Sequence, residues 1–317
     1  MIVSRAYNSF TINSVQGTIT KVSPESRLGD EINYYKSLPQ STSILFPRIV
    51  NSQVTDGDNV LELEYYAYPT LGEILLNEKF DKNLWKNIVS ALNDTLNLFS
   101  QTQISGDFSN HTNAMYLTKT KHYYDELVNN FEKFSIISKH KYLTLNGVKY
   151  LNFDFIWDSI KDIINSKLIS LETLNIIHGD FCFSNIMYGF NPKTNTSVIK
   201  CIDPRGSFGN KGIYGDPLYD IAKLMHSYEG GYEYFINDKF FYTQNPELNE
   251  FNWAFDNDNL HKVKEVFEEY SLFTSPLPKL IQGLIFIGMC SRHYDSEARQ
   301  TVMYLTGIKL LNEILNE

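Results

Sequence analysis

Residues 176–186 read IIHGDFCFSNI and residues 199–206 read IKCIDPRG, and these two stretches decide the fold. The first spaces its polar residues as His-x-Asp-x-x-x-x-Asn, which puts Asp180 and Asn185 on one loop. The second places Asp203 directly after an apolar run that is typical of a buried strand. Carboxylate and amide oxygens are the ligands that magnesium prefers. The two stretches therefore predict a loop and a strand end that share one magnesium site.

The spacing is also the one that kinases use to transfer a phosphoryl group from ATP. In that reaction a loop carboxylate accepts the proton of the attacking hydroxyl, while an asparagine and a strand aspartate hold the metal. We therefore predict that Asp180 is the catalytic base and that Asn185 and Asp203 are the magnesium ligands. The alternative is that Asp180 only caps a turn, but the spacing shared by the three residues favours the catalytic interpretation.

The composition is that of a soluble globular protein with two lobes or domains. The chain has 317 residues, of which 43% are hydrophobic and 21% are charged. Its formal net charge of −9 argues against a nucleic-acid partner, because phosphate backbones bind clustered lysine and arginine. The acidity is compatible with a cationic substrate such as an amine, although solubility alone would explain it.

Several features favour a cytoplasmic location. The sequence begins MIVSR and lacks the apolar run of a signal peptide, and the apolar stretch at 280–290 is too short to span a membrane. The cysteines, Cys182, Cys201 and Cys290, are sparse and odd in number, which fits a reducing compartment. We expect no membrane partner and leave the oligomeric state open.

The hydrophobic pattern predicts an α+β architecture with a small β-rich N-terminal lobe (1–68, nucleotide-binding) and a larger, mostly helical C-terminal lobe (69–317). In the small lobe, strands are predicted at 10–13, 18–22, 44–50 and 60–65, and a helix at 27–38. In the large lobe, helices are predicted at 71–77, 84–99, 123–134, 153–169, 218–227, 261–270, 278–290 and 297–315, and strands at 173–177, 186–188 and 198–202.

Two small-lobe residues match the kinase pattern. Lys21 ends a predicted strand and Glu31 lies in the helix that follows, as expected for a lysine that contacts phosphates and is held by a glutamate. Each would otherwise be a solvated surface charge. The segment 5–9 precedes that strand and is predicted to cover the phosphates, although it has no glycine run.

The segment 63–69, LEYYAYP, is predicted to be the hinge between the lobes. Backbone groups of Tyr65 and Tyr66 would pair with an adenine edge there. The alternative, that these aromatic residues only pack between the lobes, is equally compatible with the sequence.

Two further residues are interpreted as structural support. His178 has no proton to move and is expected to brace the loop from a buried position, and Asp220 is expected to accept hydrogen bonds from the loop backbone. Zinc is not indicated, because His178, Cys182 and Cys201 lack a Cys-x-x-Cys pair and a fourth ligand. The sequence contains no Walker loop, no dinucleotide-binding glycine motif and no nucleophile elbow.

Together these residues resemble the aminoglycoside phosphotransferase and choline kinase family, which has a two-lobe protein-kinase-like fold. The matching positions are Lys21, Glu31, the hinge at 64–69, His178, Gly179, Asp180, Asn185, Asp203 and Asp220. The resemblance implies that Asp180 is the catalytic base, that Asn185 and Asp203 bind magnesium, and that Lys21 contacts the α- and β-phosphates.

Two details of the match refine the expected substrate. The run IDPRG at 202–206, continuing to GDPLYD at 215–220, looks most like bacterial members found with surface-polysaccharide genes. Pro204-Arg205-Gly206 departs from the Asp-Phe-Gly of protein kinases, and no Ala-Pro-Glu segment follows. A small-molecule substrate is therefore favoured over a protein.

The sequence thus predicts a kinase that uses ATP or GTP with Mg²⁺ to phosphorylate a hydroxyl of a sugar, polyol, amino alcohol or aminoglycoside. A helical insert at about 101–170 and the C-terminal helices would set its specificity. The alternatives are a non-catalytic nucleotide-binding scaffold or sensor and a nucleotidyl transferase. The intact Asp180, Asn185 and Asp203 argue against both.

Overall fold

The computed structural model describes residues 9–24, 26–54, 57–191, 193–194, 196–245, 249–255 and 259–316. The predicted phosphate-covering segment 5–9 lies outside these residues, apart from Ser9. The N-terminal elements are β1 (Ser9–Asn13), β2 (Thr18–Ser23), α1 (Ser26–Ser37), α2 (Gln40–Ser43), β3 (Ile49–Val54) and β4 (Asn59–Glu64).

The small lobe is an antiparallel sheet with the strand order β1-β2-β4-β3, and α1 contacts β4 and β3. The central strand β4 shows why these residues form a sheet: its leucines, Leu61 and Leu63, are buried, while Glu62 and Glu64, which alternate with them, are only partly buried. This alternation gives the sheet one apolar face. The predicted β-rich small lobe with a single long helix is confirmed.

The predicted strand at 44–50 is wrong over residues 44–48, because β3 begins at Ile49. The residues before it form α2 and a turn. Their carbonyls accept hydrogen bonds from a distant hairpin: the N–H of Cys201 donates to the Leu45 carbonyl at 2.7 Å, and Lys200 Nζ donates to the Ile44 carbonyl at 2.6 Å. Such tertiary contacts are invisible to local periodicity.

The large lobe is mostly helical, as predicted. Its helices are α3 (Leu71–Asn77), α4 (Lys82–Ser100), α5 (Ser109–Asn113), α6 (Lys119–Asn130), α7 (Glu132–Ile137), α8 (Phe153–Lys167), α9 (Pro217–Tyr228), α10 (Tyr232–Ile236), α11 (Asn259–Glu268), α12 (Pro276–Met289) and α13 (Glu297–Asn316). A π-helical segment, Ala114–Thr118, joins α5 to α6, and short 3₁₀ turns lie at Phe183–Asn185, Ser271–Phe273 and Cys290–Arg292.

The strands of the large lobe are β5 (Gln103–Ser105), β6 (Tyr142–Leu145), β7 (Val148–Leu151), β8 (Thr173–Ile176), β9 (Ile186–Asn191), β10 (Thr196–Cys201), β11 (Ser207–Phe208), β12 (Asn210–Lys211), β13 (Tyr214–Gly215), β14 (Phe240–Asn245) and β15 (Glu250–Phe255). They include the three predicted strands, now β8, β9 and β10. The insert at 101–170 is therefore not wholly helical, which corrects the expectation: it supplies β5, and its β6 and β7 join β14 and β15 in a sheet of order β14-β15-β6-β7.

Buried side chains form two hydrophobic clusters, and one of them crosses the predicted lobe boundary. This cluster includes Leu28, Ile32 and Phe46 from the small lobe together with Leu71 and Trp85 from the large lobe. The division at 68/69 remains a prediction, but the apolar packing of the small lobe is continuous with that of the large one. Among the described residues, no helix is long and apolar enough to cross a membrane.

Candidate active site

The loop after β8 is held by Asp220, near the N-terminus of α9. Its two carboxylate oxygens accept the backbone N–H groups of His178 and Gly179 at 2.6 and 2.8 Å. Burial raises the pKa of Asp220 to about 7, and these two hydrogen bonds oppose the increase. The predicted support of the loop by Asp220 is therefore present in the structure.

His178 braces the same loop, also as predicted. It is fully buried, its Nε2 lies 2.9 Å from the Ile202 carbonyl, and its Nδ1 lies 3.2 Å from the Asp180 backbone N–H. Burial lowers its pKa to about 4, so the ring is neutral, with Nδ1 accepting and Nε2–H donating. Because Ile202 is the residue before Asp203, this bond ties the loop to the end of β10.

Asp180 is paired with Lys223, from the second turn of α9. Lys223 Nζ lies 2.8 Å from Asp180 Oδ1, and the Asp180 side chain retains 37% of its exposure. Burial alone would raise the pKa of Asp180, but the positive charges of Lys223 and Arg205 outweigh burial and lower it below its usual range. Asp180 is therefore an ionised, partly exposed hydrogen-bond acceptor. Sequence reasoning gave Lys223 no role, although its i, i+3 spacing from Asp220 places both side chains on one helix face.

Asn185 and Asp203 are neighbours through the backbone. The Ile202 N–H donates to the Asn185 carbonyl at 2.9 Å, so the residue before Asp203 is bonded directly to Asn185. Asn185 Nδ2 donates to the Asp180 carbonyl at 2.9 Å, which leaves the amide oxygen as an available acceptor. Asp203 has φ of 55° and a side chain that is 48% exposed. An amide oxygen and an exposed carboxylate suit magnesium, which takes few protein ligands and keeps phosphates and waters as the others.

Lys21 links the small lobe to this site. Its Nζ lies 2.6 Å from Glu31 Oε2 in α1 and 3.0 Å from Asp203 Oδ1. Burial alone would lower the pKa of Lys21, but the two carboxylates raise it above its usual range. The predicted Lys21–Glu31 pair is therefore present, and the lysine also reaches the predicted metal ligand.

In the predicted hinge, fewer backbone groups can pair with an adenine edge than the sequence predicted. The Tyr65 N–H donates to the Gly17 carbonyl at 2.8 Å, so this N–H is occupied and cannot pair with an adenine edge. The Tyr66 hydroxyl donates to Glu64 at 3.0 Å, and Lys200 Nζ lies 4.8 Å from the centre of the Tyr66 ring. Of these two residues, the Tyr65 carbonyl and the backbone of Tyr66 remain as candidates for hydrogen bonds to an adenine edge.

The histidine and the cysteines that were considered for a zinc site are not grouped as metal ligands. Among the described residues, no three histidine, cysteine, aspartate or glutamate side chains are placed to share a metal ion. Cys182, Cys201 and Cys290 are all free and buried. Burial raises the pKa of each thiol above its usual range. The cysteines therefore belong to the hydrophobic core.

No protein-family model matches the chain, and no curated protein sequence matches it. Solved structures match it instead. The apo form of a thermostable mutant of aminoglycoside phosphotransferase APH(4)-Ia is 10% identical with a TM-score of 0.59, over 98% of this chain and 93% of that chain. The ternary complex of a mutant of the same enzyme with AMP-PNP and hygromycin B is 10% identical with a TM-score of 0.53, over 98% and 91%.

A second phosphotransferase is also similar. The GDP complex of an aminoglycoside 2'-phosphotransferase-IIIa mutant is 14% identical with a TM-score of 0.57, over 99% of this chain and 90% of that chain. Both likenesses extend over nearly the whole chain, so they include the small lobe, the hinge and the large lobe. The chain therefore has the two-lobe, protein-kinase-like fold of the aminoglycoside phosphotransferases, as its motifs predicted.

Proposed function

We propose that the protein is a kinase that uses ATP or GTP with Mg²⁺ to phosphorylate a hydroxyl group of a small molecule. The observation that carries the proposal is the position of Lys21, which lies 2.6 Å from Glu31 and 3.0 Å from Asp203. This contact joins the lysine to which we assign phosphate binding and the aspartate to which we assign metal binding. A phosphoryl-transfer site needs both groups in one place.

Asp180 would orient the acceptor hydroxyl and accept its proton. Its lowered pKa makes it a weak base, which suits a reaction in which positioning and charge neutralisation matter more than proton abstraction. Lys223, 2.8 Å from Asp180, fixes the carboxylate and adds a positive charge beside the site of attack. We assign Lys223 a positioning role for Asp180.

Asn185 and Asp203 would hold magnesium, and Lys21 would contact the nucleotide phosphates. When bound, the metal supplies charge neutralisation between the phosphate oxygens. The hinge would hold the base through the Tyr65 carbonyl and the backbone of Tyr66. The solved neighbours support nucleotide use, since they were determined with AMP-PNP and with GDP.

Several finer expectations are part of this proposal. Cytoplasmic location and a role in surface-polysaccharide biosynthesis rest on the sequence alone. A non-catalytic nucleotide-binding scaffold is the alternative function. The partial exposure of Asp180 argues against it, because a scaffold has no need of a partly exposed carboxylate in this loop.

The test is release of ADP from MgATP across a panel of sugars, polyols, amino alcohols and aminoglycosides. The informative variant is Asp180→Asn, which removes the charge and keeps the shape, and the matched control is Asp158→Asn, an aspartate that is 90% exposed. We expect Asp180→Asn to lower turnover about 10²- to 10⁴-fold and Asp158→Asn to leave it unchanged. Wild-type turnover in Asp180→Asn would overturn the assignment of the base.

Nucleotide binding is measured separately by calorimetry with the non-hydrolysable analogue AMP-PNP. We expect Asp203→Ala to abolish the part of the affinity that depends on magnesium. Unchanged magnesium dependence would remove Asp203 from the metal site. Tight nucleotide binding with no ADP release for any acceptor would favour the scaffold.

A further inference from the structure

Three positively charged side chains lie around Tyr219 and Asp180, and we call them the basic cluster: Lys119, Arg205 and Lys223. Lys119 Nζ is 5.9 Å and Arg205 Cζ is 5.6 Å from the centre of the Tyr219 ring, so two cations share one aromatic ring. Lys223 is bonded to Asp180, at 2.8 Å. Lys223 thus contacts the residue proposed to orient the acceptor hydroxyl, and the other two cations lie at the ring of Tyr219, one helical turn before Lys223.

The cluster has more positive than negative charge. Lys223 is paired with Asp180, but Arg205 donates to the Tyr219 hydroxyl at 2.7 Å. Lys119 contacts the Met115 sulfur at 4.0 Å and the Tyr219 ring. Within the part of the chain that the structure describes, neither Lys119 nor Arg205 forms a salt bridge with a carboxylate. Neither side chain therefore has a carboxylate in salt-bridge contact, although Asp180 attracts both of them from a longer distance and Asp220 attracts Arg205.

This arrangement has an energetic cost. Burial and the positive charges of Arg205, Arg292 and Lys223 lower the pKa of Lys119 well below its usual value. Withdrawing a cation from water beside other cations is unfavourable unless an anion compensates it. A bound anion would supply that compensation through charge-assisted hydrogen bonds, which are about twice as strong as neutral ones.

The backbone places Lys119 in the cluster by an uncommon device. Lys119 is the first residue of α6 and directly follows the π-helical segment Ala114–Thr118. Such segments are rare and often lie at functional sites. The segment is anchored to α9, because the Tyr116 hydroxyl donates to Asp216, the N-cap of α9, at 2.7 Å. The helix that carries Lys223 is thereby bonded to the segment that leads into Lys119.

We infer that the basic cluster binds an anionic group, a phosphate or a carboxylate, carried by the acceptor whose hydroxyl Asp180 orients. The inference rests on the proposed kinase function and narrows its substrate class to sugars, polyols or related alcohols that bear a negative charge. An aminoglycoside carries several protonated amines, so the cluster repels it. The fold is that of aminoglycoside phosphotransferases, whereas the basic cluster selects a negatively charged acceptor and not a positively charged one.

The test is a panel of matched acceptors at saturating MgATP. Each sugar or polyol is offered as the neutral compound, the carboxylate, the phosphate ester and the amine, and kcat/KM is measured from ADP release. We expect an anionic member to be preferred, and the carboxylate and phosphate arms identify which anion it carries. In Lys119→Gln, kcat/KM for that member should fall about 10- to 100-fold, the loss of one charge-assisted hydrogen bond. The value for the neutral member should change much less.

Two variants control this experiment. Lys121→Gln makes the same substitution at an exposed residue on the same helix and should leave kcat/KM unchanged. Lys119→Arg keeps the charge and should retain most of the preference. A neutral or amine acceptor that is preferred, and remains so in Lys119→Gln, would overturn the inference and leave the kinase proposal intact. A rise in KM for ATP alone would also overturn it, since the cluster would then serve the nucleotide.

A second measurement covers an acceptor outside the panel. With the protein saturated by MgADP, inorganic phosphate is added and the midpoint of thermal unfolding, Tm, is recorded. A Tm increase that Lys119→Gln abolishes and Lys121→Gln retains supports the inference, and no increase, or an equal one in Lys119→Gln, contradicts it. Failure to bind MgADP would instead contradict the proposed function, so the two failures are distinguishable.

Discussion

At the scale of single residues, Lys21 contacts two carboxylates, the buried Glu31 and the more exposed Asp203. Glu31 is buried at 5% exposure, and its Oε1 has no partner among the described residues. Lys21→Met would leave Glu31 without its cation, so we expect a loss of about 2 to 4 kcal/mol in the free energy of unfolding. We also expect kcat/KM for ATP to fall about 10- to 100-fold or more. Urea unfolding and steady-state kinetics measure the two effects.

The double variant Lys21→Met/Glu31→Gln separates the loss of stability from the loss of activity. The second substitution removes the unpaired buried carboxylate, so most of the lost stability should return while the activity does not. Recovery of activity in the double variant would show that Lys21 acts only by neutralising Glu31. No recovery of stability would show that the Lys21–Glu31 pair does not carry the structural loss.

We predict that Glu233 makes the free energy of unfolding depend on pH. Its Oε1 accepts hydrogen bonds from Ser227 and Ser184 and its Oε2 is buried without a partner among the described residues. Burial raises the pKa of Glu233 to about 7. The folded state therefore binds this proton more tightly than the unfolded state, and the stabilisation is lost as the pH rises through about 7.

Glu233→Gln replaces the titrating group by one that stays neutral. The free energy of unfolding of the variant, minus that of the wild type, should increase by on the order of 1 to 3 kcal/mol as the pH rises from 5 to 8. Urea unfolding at several pH values in this range measures the difference. Asp220 and Glu31 have raised pKa values as well and are present in both proteins, so they cancel in the comparison. A difference that does not vary with pH would contradict the prediction.

The sequence predicted the motif residues and missed their charged surroundings. Asp180, Asn185 and Asp203 are readable because one loop and one strand end carry them at fixed spacing. Lys119 and Lys223 approach the site from separate helices, and no spacing in the sequence relates them to one another. Their proximity is a product of helix packing, which a single sequence does not encode in any local pattern.

At the scale of secondary-structure elements, prediction succeeded where the pattern is local. The helix α3 has its predicted bounds, because Thr70 and Glu73 form a capping box that fixes its start. The strands β14 and β15 were missed, and β15 pairs in parallel with β6 from the distant insert. A strand whose partner lies about a hundred residues away is stabilised by tertiary contacts, so its own sequence is a weak signal.

The contact between α1 and the loop after Asp203 can be tested with two glycines of similar backbone conformation. Gly206 has φ of 69°, and a Cβ there would clash with the Asp30 carbonyl oxygen in α1. Gly17 has φ of 65° and nothing within 4 Å of such a Cβ. Both alanine variants experience the same backbone strain, but only Gly206→Ala must displace α1, which carries Glu31.

We expect Gly17→Ala to cost about 1 kcal/mol in free energy of unfolding and Gly206→Ala to cost about 1 to 3 kcal/mol more. Because α1 moves, Gly206→Ala should also raise KM for ATP, whereas Gly17→Ala should not do so to the same extent. Denaturant unfolding and kinetics on both variants provide the comparison. Equal losses of stability in the two variants would contradict the prediction, because they would mean that the Gly206 Cβ is accommodated without a costly displacement of α1.

At the scale of the whole molecule, the net charge did not predict the charge of the site. The chain carries −9 overall, which is compatible with a cationic substrate, yet Lys223 contacts Asp180 and two further cations, Lys119 and Arg205, lie at the nearby Tyr219 ring. Total charge reflects the surface and its solubility, while selection of a substrate depends on the few side chains that face it. The fold is likewise a poor guide to substrate, because functional sites differ on a shared framework.

The two lobes also share packing that the predicted boundary would divide. Phe46 of the small lobe stacks on His178 of the loop, with ring centres 5.9 Å apart, and belongs to the same buried cluster as Leu71 and Trp85. We therefore predict that the isolated segment 1–68 does not fold alone, since its separation exposes this apolar surface. Circular dichroism and urea unfolding of the segment, compared with the full chain, test this. A cooperative unfolding transition in the isolated segment would establish the small lobe as an independent domain and would mean that the contacts of Phe46 are dispensable for its fold.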